Sequence, residues 1–130
     1  MSASVGLLDH YNVRTRNLDE TVRFYTDVLG LNKGARPDFP APGAWLYSDG
    51  RPVVHLVDIS ATEEPQQQGT GALHHVAFVS RGFDEMRRRL TARGTAFRTA
   101  QASGGDIVQI FVTDPNGIVI ELNYDGREAC

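Results

Sequence analysis

His10-Tyr11-Asn12-Val13-Arg14-Thr15 and His75-Val76-Ala77-Phe78-Val79-Ser80 decide how the chain is read. Each is a short strand-like run that opens with histidine, and the second begins 65 positions after the first. A helical pattern follows each run. In the first half Asn17 and Glu20 have the spacing of a capping box, Leu18, Val22, Tyr25 and Leu29 form an apolar stripe, and Gly30 is a natural stop. In the second half, Gly82 to Arg93 repeats this with Phe83, Met86 and Leu90 as the stripe and Gly94 as the stop.

The correspondence extends further along each half. Strands are predicted over 43–48 and 106–113, followed by turns at Asp49-Gly50 and at Asp114-Pro115-Asn116-Gly117. Each turn leads into an apolar run, Val53-Val54-His55-Leu56-Val57 and Ile118-Val119-Ile120-Glu121-Leu122, so His55 falls where Glu121 falls. Each half then reads strand, helix and about three strands. This predicts an α+β chain of two tandem βαβββ modules with curved, mixed sheets, over residues 5–60 and 72–125. The polar stretch 61–71, with Glu63-Glu64-Pro65-Gln66-Gln67-Gln68-Gly69, links them within one domain spanning 1–130.

Composition narrows the function classes. With 41% hydrophobic and 22% charged residues the chain is that of a soluble globular protein, and no run approaches the roughly 20 apolar residues of a membrane span. The N-terminal stretch lacks the basic and apolar regions of a secretory signal, so a cytoplasmic location is expected. A formal charge of -3 argues against a nucleic-acid partner, and Arg87-Arg88-Arg89 reads as the solvated side of a helix. Cys130 is the single cysteine, which excludes an intrachain disulfide and a cysteine zinc cage. Any metal ligands must be histidine and carboxylate.

Three motifs, Leu-Asp-Glu-Thr-Val-Arg-Phe-Tyr-Thr-Asp-Val-Leu-Gly-Leu at 18–31, His-His-Val-Ala-Phe at 74–78 and Asp-Pro-Asn-Gly-Ile-Val-Ile-Glu-Leu at 114–122, resemble the vicinal-oxygen-chelate superfamily. That superfamily contains glyoxalases, fosfomycin- and bleomycin-resistance proteins and extradiol dioxygenases, and the resemblance covers roughly residues 8–124. It implies a divalent metal, zinc, nickel, iron, manganese or cobalt, held by His10, His55, His75 and Glu121. A pseudo-two-fold relation between the modules would make His10 equivalent to His75 and His55 to Glu121. Imidazole with carboxylate suits those metals better than calcium or magnesium. His74 is expected to point away from His75, on the opposite strand face.

Strand phase adds pocket candidates. Asn12 and Arg14 share the face of His10, Asn123 shares that of Glu121, and Trp45, Tyr47, Gln109 and Phe111 lie on adjoining strands. Arg14 is similar to the glyoxalase I position that holds a glutathione carboxylate. The stiff stretch 35–43 is a candidate cover for the site. The implied function is a metal-dependent glyoxalase-like lyase or isomerase, acting on a small molecule that chelates the metal through adjacent oxygens, with Glu121 moving the proton. Ile59 replaces an expected glutathione-contacting asparagine, which weakens glutathione specificity. Alternatives are an iron-dependent extradiol-type dioxygenase, a fosfomycin-resistance-like transferase, for which 101–105 lacks the expected lysine, and a metal-free bleomycin-resistance-like drug-binding dimer. Exposed strand edges and the resemblance together imply a homodimer with two sites.

Overall fold

The computed structural model describes residues 2–129, and the chain divides into two compact units, Met1–Gln66 and Gln67–Cys130. The first unit runs β1 (Tyr11–Thr15), α1 (Leu18–Arg23), a π-helical turn (Phe24–Val28), β2 (Asn32–Gly34), β3 (Gly43–Ser48) and β4 (Arg51–Asp58). Its sheet has the order β1-β4-β3-β2, with β1 parallel to β4 and the other pairs antiparallel. The second unit runs β5 (Val76–Val79), α2 (Phe83–Arg93), β6 (Arg98–Ala102), β7 (Ile107–Thr113) and β8 (Val119–Asp125). Its sheet repeats the pattern as β5-β8-β7-β6, again with one parallel pair. This is the tandem βαβββ fold. Among the described residues no helix is long and apolar enough to cross a membrane.

The burial pattern follows from strand alternation. In the second unit Val108, Ile110 and Val112 of β7 and Ile120, Leu122 and Tyr124 of β8 are buried with Phe83 and Leu90 of α2. The intervening residues Gln109, Phe111, Glu121 and Asn123 therefore leave the opposite face, where they are half-buried. In the first unit Val13, Thr15, Ala44, Leu46, Val54 and Leu56 form the core with Thr21, Phe24, Tyr25 and Val28.

The two helices differ from each other. α2 starts after Gly82 and ends on Gly94 in the left-handed conformation (φ 67°), whose N–H reaches the Leu90 and Thr91 carbonyls. α1 forms no capping box: the Asn17 side chain makes no cap bond, while the Asn17 N–H donates to Thr15 Oγ1 and the Asn17 carbonyl accepts from the Thr21 N–H. The π-helical turn shifts the phase of the stripe, so the buried set is Thr21, Phe24, Tyr25 and Val28, while Leu18, Val22 and Leu29 are only half-buried. On the outer side of α2, Arg87 pairs with Asp84 and Arg89 with Glu85, the solvated arrangement read from the sequence.

The segment after β4 is not a free tether. The Arg16 guanidinium donates to the Ser60, Thr62 and Glu64 carbonyls, the Arg16 N–H donates to Gln66 Oε1, and the Gln66 amide donates to the Arg14 carbonyl. The polar stretch 60–66 is thereby fastened to the end of β1.

Candidate metal centre

His10 lies one residue before β1 and His55 lies in β4, whose ladder with β1 pairs Asn12 with His55. The His10 and His55 rings stack, with centroids 3.6 Å apart and planes 11° apart. Trp45, the cross-strand partner of His55 on β3, stacks on its other face at 3.9 Å. His55 is thus the middle layer of a three-ring stack.

Two further contacts fix the ring nitrogens. His10 Nδ1 is 2.5 Å from the Asp9 carboxylate, which can only accept, so Nδ1 carries the proton and Nε2 keeps a lone pair. His55 Nε2 is 2.9 Å from the Pro52 carbonyl, so here Nε2 donates and Nδ1 keeps the lone pair. The β3–β4 register shifts between Leu46 and Tyr47, and this bulge re-aims the strand beside His55. Burial lowers the pKa of His55 and the neighbouring His10 adds to this, with the Pro52 carbonyl opposing both.

The stack limits what this pair can do. An imidazole lone pair lies in its ring plane, and planes 3.6 Å apart that tilt by only 11° do not meet within a bond length of both nitrogens. His10 is ready to ligate through Nε2. His55 can join the same ion only by turning out of the stack and releasing Pro52.

In the second unit His75 precedes β5 and Glu121 lies in β8. His75 Nε2 is 3.4 Å from Glu121 Oε1. Two donors each bound at about 2.1 Å to one ion and separated by that distance subtend an angle of about 110°, the tetrahedral value. The second Glu121 oxygen is spoken for: Asn123 Nδ2 donates to Oε2 at 2.8 Å, and Gln109 Nε2 donates to Asn123 Oδ1 at 3.1 Å. This amide chain runs across the β7–β8 pair, where Gln109 faces Asn123, and it turns Oε1 toward His75.

His74 departs from the expected arrangement. Both histidines precede the first paired residue of β5, so strand alternation does not govern them, and their Nδ1 atoms are 2.9 Å apart. One nitrogen donates and the other accepts; with His75 donating, its Nε2 is left to ligate. Among the described residues no three histidine, cysteine, aspartate or glutamate side chains form a group that could hold a metal ion. Each unit by itself holds a pair, His10 with His55 and His75 with Glu121.

The remaining pocket candidates divide. Gln109 and Asn123 buttress Glu121, and Phe111 is its cross-strand neighbour. Asn12 is exposed beside His55 in the ladder. Tyr47 donates its hydroxyl to the Ala35 carbonyl and lays its ring over Gly34, leaving no room there for a Cβ, so it staples the 35–43 stretch to the sheet. Phe39 of that stretch reaches the Trp45 ring at 6.3 Å. Arg14 is already neutralised: Nε and the terminal nitrogen grip both oxygens of Glu64 at 2.6–2.9 Å, which raises the guanidinium pKa and lowers that of Glu64.

Sequence reasoning missed Asp9, Pro52 and Glu64. Asp9 is the one with a readable signal, an acid adjacent to a candidate ligand; the others act through pairings that only the sheet reveals.

The model of the Glyoxalase/Bleomycin resistance protein/Dioxygenase superfamily matches residues 7–122. The chain is 30% identical over 120 residues to Glyoxylase I 4 of Arabidopsis thaliana, covering 88% of this chain and 68% of that protein. It is 31% identical over 123 residues to the lactoylglutathione lyase of Haemophilus influenzae, covering 87% and 88%. Among solved structures, the glyoxylase/bleomycin resistance protein/dioxygenase domain from Frankia superposes with a TM-score of 0.76 at 20% identity, over 94% of this chain and 93% of that one.

Proposed function

This chain belongs to the glyoxalase/bleomycin resistance protein/dioxygenase superfamily, and we propose that it is a divalent-metal-dependent lyase or isomerase of the glyoxalase kind. The observation that carries this is the pair of His75 Nε2 and Glu121 Oε1 at 3.4 Å, with the glutamate braced from behind by Asn123. His10, His55, His75 and Glu121 are the proposed ligands, His55 being the one that must turn to bind. Nickel, zinc, cobalt, manganese and iron all suit the donors. Such an ion supplies Lewis-acid stabilisation of negative charge on a substrate that offers two adjacent oxygens.

The chain's own residues account for the rest. Asp9 holds His10 in the tautomer that presents Nε2. Asn123 occupies Glu121 Oε2, so Oε1 serves both roles: it would be a donor to the ion and, once released from it, the atom that takes a proton from the substrate carbon and returns it. Phe111, the cross-strand neighbour of Glu121, supplies an apolar wall that keeps water from the charge that develops. The enzyme is proposed to work as a homodimer with two sites.

A second reading has a specific observation behind it. If His55 stays between Trp45 and His10, the ligands reduce to two histidines and one glutamate, the facial triad that non-haem iron oxygenases use. Ring-cleaving dioxygenase activity then becomes the better account.

The test is elemental analysis of purified protein beside a Glu121→Ala variant. About one transition metal per chain in the wild type, lost in the variant, supports the proposal; nickel, zinc or cobalt favours the lyase, iron the dioxygenase. Wild-type protein that takes up none of these ions overturns both readings. Glu121→Gln is expected to abolish turnover, and light scattering that gives a monomer would remove the dimer.

A further inference from the structure

On the face of the second sheet that carries Glu121, one cation has no part in the chemistry above. Arg98 on β6, Phe111 on β7 and Glu121 on β8 are successive cross-strand partners, so all three side chains leave the same face. The Arg98 guanidinium sits 3.9 Å above the centroid of the Phe111 ring, a cation–π contact. Phe111 is half-buried and Arg98 exposed. Among the described residues no carboxylate pairs with Arg98.

Stacking on an aromatic ring restrains a guanidinium while leaving its N–H donors free to form a fork on an oxyanion. Arg14 offers the contrast. It is the arginine that the resemblance points to for a substrate carboxylate, yet Glu64 already fills its fork with an internal carboxylate. Recognition of an anion at Arg14 would require displacing Glu64, whereas at Arg98 nothing need be displaced. Two strand spacings place the Arg98 backbone about 10 Å from that of Glu121, a span that a small molecule bridges.

We propose that Arg98, held over Phe111, is an anion-recognition residue, and that the substrate is a small molecule with adjacent oxygens at one end and an oxyanionic group at the other. The distance between those two ends rests on the metal-site reading; the anion contact itself stands on the second sheet alone.

Two measurements separate these parts. In the first, chelator-treated protein is titrated with glutarate at low salt and followed by proton–nitrogen correlation spectra. Saturable shifts at Arg98 and Phe111 are expected, present in Arg14→Gln and absent in Arg98→Met, with Arg98→Lys giving weaker binding. Absence of shifts in the wild type, or their survival in Arg98→Met, overturns the proposal whether or not the protein binds metal. In the second, the metal-loaded protein binds two alkyl hydroxamates of equal length, one ending in carboxylate and one in methyl. The wild type is expected to prefer the carboxylate about tenfold, and Arg98→Met to show no preference. A preference unchanged in Arg98→Met, or lost only in Arg14→Gln, overturns the proposal. A protein that takes up no metal but shows the glutarate shifts retains the Arg98 assignment and loses only the metal site.

Discussion

Replacing Asn123 with leucine removes the amide that holds Glu121 without removing Glu121 itself. In the native chain Asn123 Nδ2 bonds Glu121 Oε2 at 2.8 Å while its own oxygen is held by Gln109 at 3.1 Å. Two effects oppose each other in the variant. A carboxylate stripped of a donor is a stronger base and so a stronger ligand; a carboxylate free to rotate must be ordered when the ion arrives. Removing a residue that orients a ligand typically weakens metal binding 10- to 100-fold, about 1.4–2.7 kcal/mol, so orientation is expected to win. The Glu121 side chain is only 12% exposed, so water replaces the lost donor poorly. Gln109→Leu breaks only the outer bond and is expected to cost about threefold. The assay is competition for zinc or cobalt against a chelator of known affinity, with thermal melts of the metal-free proteins as the folding control. Affinity in Asn123→Leu within twofold of the wild type, or tighter, would refute the reasoning.

His55→Phe preserves an aromatic layer between Trp45 and His10 while deleting both ring nitrogens; metal affinity is expected to fall at least tenfold, and no loss would favour the three-ligand dioxygenase reading. Among the described residues the buried Tyr124 hydroxyl has no partner within good hydrogen-bond geometry, Ser80 being a marginal neighbour, so Tyr124→Phe is expected to stabilise the protein by about 1 kcal/mol in urea unfolding. Burial, then the Glu128 charge, push the Tyr124 phenol up to about 12, with Ser80 near enough to offset this only in part. Because the folded pKa lies above the unfolded value of about 10, stability is complete below pH 10 and is lost as pH rises toward 12; alkaline melts should show that loss in the wild type and less of it in Tyr124→Phe. Leu90, fully buried on the inner side of α2, should cost about 2–5 kcal/mol on truncation to alanine, and a loss under 1 kcal/mol would mean that α2 is not anchored there.

How much of this could be read from the sequence depends on whether the determining contacts follow a period. Alternation along Ile107–Thr113 and Val119–Asp125 told apart the core face from the Gln109, Phe111, Glu121 and Asn123 face, because a strand has one period and these strands obey it. The recurrence of histidine before a strand was legible for the same reason. The α1 stripe was misread because the π-helical turn at Phe24–Val28 inserts a phase change that no periodic template contains. His74 was misplaced by applying strand alternation to a residue lying just outside the strand. The Arg14–Glu64 grip spans 50 positions, and the Arg98–Phe111 contact depends on which strand lies beside which; neither separation leaves a trace in composition or spacing.

The ring stack in the first unit has an optical consequence. Trp45 is the chain's one tryptophan, and its indole rests on the imidazole of His55 at 3.9 Å. Its emission therefore comes from a single site and is sensitive to whether that imidazole stays, charges or swings away, since a protonated imidazole in contact with an excited indole drains its fluorescence. A ligand that draws His55 toward itself changes the brightness of the whole protein. The molecule carries, without any label, a lamp whose shade is one of its own candidate metal ligands.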